Sequence, residues 1–559
     1  MTQFFDKIII IGYGIVTKNV LETVYSKRRD YKYEVEYIEH EVYPINSAVK
    51  YAVLNNDEFV TIEREDELLG HLLEESVEHK LLIISAGNNY DFPRKLVEKD
   101  NVTIVNYHNS LLPNYPGRNA VSWVIFNKEE KTGITWHYVS ETIEPSDIIA
   151  QREYVIPDDI KAYQLSEELM KLASDTFQSV YENILNGRAD RKTQSNNTCN
   201  RKEIKSNEVP ANGNVNLSDD VSDIYRILRA LDFGKDRVFP LMIADYQGTK
   251  IQIKNYRIAS EKENGEYKLC IPYDNRILII YFNVLISDTE MCGEISIDEL
   301  SEIVGALKRV NKRIATNMYL TENELRQIIQ KEEIAFYYRR DICLNLYRKE
   351  WNFTRLYYYI ADYSQYCVYG TFAPIVADIF FTKRTERTEK LVDAFVHNGF
   401  KEYAFFSRYV KKSDEIDVMK RDSNCIIDGT APEFYEILKK CFDVYTDYIP
   451  EERNIDEFIR DHMCYSYIDE NGDLLGGAVI TIRGEVATEE FTFVKPGQRG
   501  RGISKELHAY CYRHASDYGT KQITKFYSWV NDKNESSWKH LIHVGYRKDN
   551  MHKITMMKG

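Results

Sequence analysis

The sequence predicts an α/β protein in which a doubly wound domain comes first, a small α+β appendage follows, and two related α+β lobes close the chain. Three observations predict this. Apolar and amphipathic runs alternate from Lys7 onward, polar text rich in Asn, Lys and Arg breaks the pattern over residues 186–214, and the chain echoes itself beyond residue 319.

Each element follows from its own pattern. Residues 7–13 form a short, nearly all-apolar run of the kind that a parallel strand buried on both faces requires. Residues 16–25 have helical spacing, 35–38 form a weaker second strand, and 81–85 form another all-apolar strand ending in Ala86 and Gly87. The next strand, 102–105, runs straight into Asn106, Tyr107 and His108. Strand and helix alternate without hairpin signals, so ligands should lie beyond the carboxyl ends of the strands. After the polar break, Leu217, Ser218, Asp219 and Asp220 start a helix whose apolar face is Val221, Ile224, Ile227 and Leu228, and short strands follow over 241–258. Residues 262–318 read as a mixed segment, with strands over 267–271 and 276–286 and a helix over 298–310, and no chemistry attaches to them. In the echo, Gly399 and Gly545 stand 146 positions apart, each closing a similar amphipathic run. The same offset sets Ile379, Phe380 and Phe381 against Lys525, Phe526 and Tyr527, which predicts two similar lobes.

Composition narrows the function. Lys and Arg total 73 against 87 Asp and Glu, a formal charge of −14 at pH 7, which disfavours broad binding to a phosphate backbone, so nucleic acid is not an expected partner. Hydrophobic content of 43% with 13% aromatic residues excludes a disordered chain. The most apolar runs, 8–16 and 277–286, are interrupted by Gly12, Tyr13 and Gly14 or by Tyr281 and Asn283, and fall short of the ~20 residues a membrane span needs. The first residues lack a basic region and a cleavage site, and the nine cysteines are scattered without CxxC spacing, so a cytoplasmic protein without a disulfide framework is expected.

The first chemical constellation is Asn106, His108, Ser110, Leu111, Leu112, Pro113 and Gly117, followed by Thr132, Gly133, His137 and Asp147. Asn106 and His108, two apart at a strand end, project from the same side and can face one reacting centre. A lone His after a strand is more often structural, but the string as a whole resembles the 10-formyltetrahydrofolate-dependent formyltransferase family over about residues 5–185. The resemblance implies a Rossmann-like fold and attack of a primary amine on the formyl carbon of the folate. Asn106 and a protonated His108 would then donate to the oxygen where charge develops, with Asp147 as proton carrier and orienter. His137 would orient Asp147 or the cofactor loop. By the same resemblance folate lies along residues 85–92 and 140–147, with Tyr90, Phe92, Val139 and Glu141 as contacts. Gly12 and Gly14 lack the third glycine of a dinucleotide fingerprint and read as a tight turn. The appendage and the pairing of Asn109 with Ser110 after His108 look more like enzymes acting on nucleotide-linked amino sugars than purine-pathway ones.

The second constellation is Glu489, Glu490, Phe493 and Val494 on a strand, then Gln498, Arg499, Gly500, Arg501, Gly502, Ile503 and Ser504 in a glycine-rich turn opening a helix. Such a turn lets backbone N–H groups and a helix dipole approach a pyrophosphate. With Asn534, Ser537, Gly545 and Tyr546 it resembles the GCN5-related N-acetyltransferases over about residues 415–559, which implies acetyl-CoA as cofactor. Ser504 departs from the Gly or Ala usual at the closing position, and Leu541 replaces a Tyr often found seven residues after the Asn. The base would be Glu489 or Glu490, since only one of two neighbouring strand residues can face the cleft.

The expected organisation is a formyltransferase domain over 1–190, its appendage over 200–260, a connecting segment over 261–318, a degenerate acetyltransferase-like lobe over 319–412 and an acetyltransferase domain over 415–559. The expected activity is amine acylation of two kinds, from 10-formyltetrahydrofolate and from acetyl-CoA, with a small-molecule amine as partner and a homodimer as the assembly. The alternatives are an amino-acid-derived amine or hydroxylamine as acceptor, or a silent second module.

Overall fold

The computed structural model describes residues 5–40, 47–54, 59–139, 148–187, 203–234, 238–331, 334–350, 352–370, 374–415, 425–449, 459, 463–518 and 522–559. The chain divides into two compact units, Met1–Phe282 and Asn283–Gly559. The connecting segment expected over 261–318 is therefore split, because no Gly- or Pro-rich linker interrupts it.

In the first unit, β1 (Lys7–Gly12), α1 (Gly14–Tyr31), β2 (Glu34–Glu39), α2 (Ser47–Leu54), β3 (Phe59–Thr61), α3 (Glu65–Glu78), β4 (Leu81–Ala86), α4 (Arg94–Val97), β5 (Val102–His108), α5 (Ala120–Phe126), β6 (Lys131–Tyr138), β7 (Ile148–Val155) and α6 (Ala162–Leu185) follow in order. The seven strands form one sheet in the order β3-β2-β1-β4-β5-β6-β7. The first five run parallel, whereas β6 and β7 continue antiparallel as a meander. Alternation along each central strand sorts the two faces. Ile8, Ile10, Leu82, Ile84 and Val105 pack with α1, α2 and α6, and Ile9, Ile11, Leu81, Ile83, Val102 and Ile104 pack with α3 and α4. By the same alternation Asn106 and His108 fall on the α3 side, four to six residues beyond Val102. β5 is longer than its apolar run because β6 pairs with its polar end, Asn106 opposite His137 and His108 opposite Thr135.

The tight turn expected at Gly12 and Gly14 has a steric cause. A Cβ on Gly12 would lie 2.2 Å from the Ala86 carbonyl oxygen, so the chain leaves β1 in contact with the end of β4. The appendage comprises β8 (Asn214–Val215), α7 (Val221–Ala230), β9 (Ile243–Tyr246), β10 (Thr249–Ala259), β11 (Lys268–Tyr273) and β12 (Arg276–Ser287). It extends past residue 260 because β11 and β12 pair from Lys268 opposite Tyr281 to Tyr273 opposite Arg276. Asp220 caps α7 by accepting from the Ser222 N–H.

The second unit shows why the echo exists. Its first lobe runs β13 (Glu290–Glu294), α8 (Ile297–Val310), β14 (Ala315–Thr316), α9 (Glu322–Lys331), β15 (Ala335–Arg339), β16 (Cys343–Glu350), β17 (Phe353–Ile360), β18 (Ile375–Phe381), α10 (Glu386–His397) and β19 (Lys401–Lys412). Its second runs β20 (Ile426–Asp428), α11 (Phe434–Cys441), β21 (Met463–Ile468), β22 (Leu474–Arg483), β23 (Val486–Val494), α12 (Ile503–Tyr518), β24 (Lys525–Asn531), α13 (Glu535–His543) and β25 (Arg547–Lys558). In both, an antiparallel meander ends in a parallel pair, β17 with β18 and β23 with β24. The first lobe thus begins at β13, earlier than the expected residue 319.

The closing strands are exchanged between lobes. β18 pairs with β25, from Ile375 opposite Lys558 to Phe381 opposite His552, and β24 pairs with β19, from Lys525 opposite Lys412 to Asn531 opposite Phe406. β19 and β25 also pair with each other. β19 and β25 are related by the offset of 146, but β18 corresponds to β24 with an offset of 150, four more than the repeat of glycines suggests. The difference is absorbed before the glycine, where α13 is shorter than α10.

Candidate functional site

Asn106 is held from two sides. The Ser85 hydroxyl donates to its Oδ1 at 2.6 Å, and its Nδ2 lies 3.3 Å from His137 Nε2. His137 Nδ1 is 3.1 Å from the Tyr138 carbonyl oxygen, so Nδ1 carries the proton and Nε2 accepts from Asn106. Asn88 Nδ2 donates to Ser85 Oγ at 2.6 Å and completes a chain in which every donor has one direction. Burial and the neighbouring His108 hold His137 down at about 4, which keeps it a neutral acceptor. His137 thus holds Asn106, and its expected partner Asp147 lies outside the described residues.

His108 Nε2 lies 2.9 Å from the Tyr115 carbonyl oxygen, to which it donates, leaving Nδ1 as the ring's lone pair. Burial pushes the imidazole below its ordinary value. This favours the neutral ring, opposite to the cation the resemblance implies. The loop after His108 is braced by Ser110, which donates to the Asn114 oxygen at 2.7 Å, and by Thr135, which donates to the Ser110 oxygen at 2.6 Å. Gln151 bonds the Leu112 oxygen at 2.7 Å. A strap from the appendage side adds to this. Ile204 N–H donates to the Pro116 oxygen at 3.0 Å and its oxygen accepts from Arg118 N–H at 2.8 Å, with Gly117 between them where a Cβ would lie 2.2 Å from the Ile204 oxygen.

Tyr90, Phe92 and Val139 pack on the same face of the sheet as Asn106, Tyr90 edge-on to Phe92 at 5.1 Å. Among the described residues the buried Tyr90 hydroxyl has no hydrogen-bond partner, and a polar heterocycle in this cleft would satisfy it. Arg118 ties the neighbouring loop by donating to Asn89 Oδ1 at 2.7 Å and pairing with Asp91 at 3.2 Å. Asp147 and Glu141 lie outside the described residues. Ser85 and Asn88 fall in the stretch expected along folate, but their hold on Asn106 was missed by sequence reasoning, as were the parts of Thr135, Gln151 and Arg118.

In the second lobe the two carboxylates part company. β22 and β23 shift register between Val479 opposite Phe491 and Ile480 opposite Glu489, leaving Glu490 as the extra residue of a bulge. Ala487 and the α12 residues Leu507 and Cys511 lie in one core, Phe491 and Phe493 with Phe434 of α11 in another. Glu489 is sealed inside, its Oε1 accepting from Tyr546 at 2.8 Å and 2.9 Å from His508 Nδ1. Burial raises the Glu490 carboxyl, with Arg483 and Lys553 opposing. The bulge thus leaves Glu490 half-buried while Glu489 is enclosed in the core.

Gly500 and Gly502 both have positive φ, 82° and 83°, and nothing lies within 4 Å of where their Cβ atoms would stand. With α12 opening at Ile503 and exposed Arg499 and Arg501, this is an open cradle at a helix start. Beside it, Gln498 Oε1 is buried without a partner among the described residues. The other expected contacts are otherwise employed. Phe493 belongs to the core, Val494 packs at the edge of the second-lobe core, and Asn534 caps α13 by accepting from the Ser537 N–H at 3.2 Å. Ser504 Oγ lies 2.9 Å from His540 Nε2, and burial holds that imidazole down at about 4. The first lobe has no equivalent cradle among its described residues: β17 and β18 are joined by residues 361–374 without a described helix.

Residues 24–181 match the family model for formyl transferase, and residues 431–545 match that of the acetyltransferase (GNAT) family. The N-terminal part thus carries a formyl transferase domain and the C-terminal part a GNAT domain. Among curated relatives, the methionyl-tRNA formyltransferase of Clostridioides difficile is 26% identical over 174 residues, 31% of this chain and 54% of that protein. That of Flavobacterium johnsoniae is 28% identical over 239 residues, 41% of this chain and 74% of that protein. The chain spans about half the length of the first of these. Among solved structures, the N-formyltransferase from Helicobacter canadensis, in complex with folinic acid and dTDP-3-aminofucose, is 21% identical with a TM-score of 0.38, covering 49% of this chain and 98% of that one. Among the described residues no helix is long and apolar enough to cross a membrane.

Proposed function

We propose that the N-terminal part transfers a formyl group from 10-formyltetrahydrofolate to a primary amine on a nucleotide-linked amino sugar, and that the second lobe transfers an acetyl group from acetyl-CoA. The observation that carries the first reading is the oriented chain Asn88, Ser85, Asn106, His137, which aims one amide N–H group into the cleft beside a neutral His108. The folate supplies the electrophilic formyl carbon. Asn106 offers a hydrogen bond where negative charge grows on the formyl oxygen, and fixed donors of this kind act without reorganising. His108, neutral and tied through Nε2, has Nδ1 free to take a proton from the attacking amine, and Asp147 receives it in turn.

An amino sugar is favoured over tRNA by the charge of −14, which supplies no basic field for a polyanion. The acetyl reading rests on the open cradle at Gly500 and Gly502 and on Glu490 at the bulge. A silent second module is the competing reading, favoured by Glu489 being sealed in the core.

The test is mass spectrometry of a panel of sugar nucleotides and initiator methionyl-tRNA with both acyl donors present. Formylated sugar nucleotide is the expected product; formylation confined to the tRNA refutes the acceptor. Asn106→Ala should slow formyl transfer about 10²- to 10³-fold, and His108→Ala and Asp147→Ala should abolish it, while acetyl-CoA turnover persists. Glu490→Gln should abolish acetyl transfer while leaving acetyl-CoA binding in place; acetyl-CoA bound without turnover by the unaltered protein establishes the silent module instead.

A further inference from the structure

Lobe one carries a thiol pair that neither transferase reading uses. Cys367 sits half-buried in the connection 361–374, the segment that in the second lobe holds the glycine loop and α12. Tyr337 Oη is 3.2 Å from its sulfur, and the Arg339 guanidinium donates to it at 3.7 Å. Both come from β15. Cys343, fully buried at the start of β16, donates to the Cys367 carbonyl oxygen with its sulfur 3.9 Å away. Asn345 Nδ2 bonds the same carbonyl oxygen at 2.8 Å and fixes the backbone there, and Tyr369 stacks on Tyr337 at 5.1 Å.

We propose that Cys367 and Cys343 form a peroxide-reactive pair, Cys367 as the attacking thiolate and Cys343 as the resolving thiol. The Tyr337 hydroxyl and the Arg339 guanidinium stand against a sulfur at a half-exposed position, the setting in which thiols react, and a second thiol lies against the Cys367 backbone. The Cys367 sulfur attacks one peroxide oxygen; an S–O bond forms, the O–O bond breaks and hydroxide leaves. The Cys343 sulfur then attacks the Cys367 sulfur; an S–S bond forms, the S–O bond breaks, and water leaves with the Cys343 proton. Both thiols are oxidised and one peroxide is reduced.

The electrostatics agree. The Cys343 donor, then Tyr337 and Arg339, bring the Cys367 thiol down to about 6 against burial, which pushes it up. The other groups facing the pair are Tyr347 of β16, Tyr366 of the connection, and Glu290 of β13, which holds Arg339 at 3.1 Å.

The test treats the full chain with hydrogen peroxide and maps cysteines by peptide mass spectrometry. The expected result is one disulfide joining Cys343 and Cys367, formed several-fold faster than exposed Cys441 is oxidised. Cys343→Ser should stop at a sulfenic acid on Cys367 that dimedone traps, and Cys367→Ser should leave Cys343 reduced. Alkylation of Cys367 by iodoacetamide should rise with pH through a midpoint near 6. Cys367 staying reduced, a sulfenic acid persisting in the unaltered chain, or oxidation of Cys441 at the same rate each overturns the proposal.

Discussion

Replacing Ser85 with Ala tests whether the orientation of Asn106 matters to the chemistry. Ser85 is 1% exposed, and its hydroxyl joins Asn88 to Asn106. Removing it costs one hydrogen bond net, about 1 kcal/mol, and strands the Asn106 carbonyl oxygen and the Asn88 amide for roughly as much again. If that loss falls on the transition state, kcat drops about five- to thirtyfold while KM for the amine holds, since the ground state makes no bond to Ser85. Asn106→Ala alone should cost more, about 10²- to 10³-fold, because it deletes the donor itself. The decisive assay is the double-mutant cycle in single-turnover formyl transfer. Once Asn106 is Ala, adding Ser85→Ala should change nothing further, because nothing remains to be oriented. Additive losses, or an unchanged kcat in Ser85→Ala, would refute the argument that this chain of bonds aims the amide.

Three other outcomes follow from the same structure. His137 has a folded value of about 4 against an ordinary 6.5, so its contribution is present above pH 6.5 and is lost as pH falls toward 4. The loss is about 3 kcal/mol, read as faster hydrogen exchange of the β5 and β6 amides, and His137→Gln should flatten that acid limb. Gly117→Ala should push the strap away, because the added Cβ meets the Ile204 carbonyl oxygen at 2.2 Å. The amides of Ile204 and Arg118 should then exchange roughly ten- to a hundredfold faster, since two hydrogen bonds are lost. Gly502→Val puts a branched side chain at φ 83° into the open cradle and should weaken acetyl-CoA binding by calorimetry without altering formyl transfer; unchanged affinity would remove the cradle from the acetyl site.

Much of the fold was legible because the first unit obeys simple alternation. Ile8 to Ile11 are buried on both faces, so the central strand shows in the residues as an unbroken apolar run. Asn106 and His108 were legible as strand-end residues by their period-two spacing, but that β6 turns back to pair with them was not. The roles at the site divide in the same way. Asn106 and His108 stand out by type and spacing, but Ser85 and Asn88 act on Asn106 from 21 and 18 positions away, a relation only the sheet creates. In the second unit, alternation alone does not choose between Glu489 and Glu490, since a bulge reverses which residues face α12. The offset of 146 correctly relates β19 to β25, yet the strands before them needed 150, because a shortened helix hides inside the repeat.

The exchanged strands impose an order on synthesis. β18 finds its partner in β25, which contains the last residues but one of the chain, and β19 is flanked by β24 and β25. When the first lobe has left the ribosome, β18 still lacks β25 and β19 lacks both its partners; 119 further residues complete β24 and 146 complete β25. Cutting the gene between residues 412 and 415, where the lobes read as separable, would leave each product with the edge the other was built to close, a template for sticking to any neighbouring strand. The lobe whose described residues hold no cradle thus supplies β18 and β19, the strands against which its twin's β24 and β25 pair.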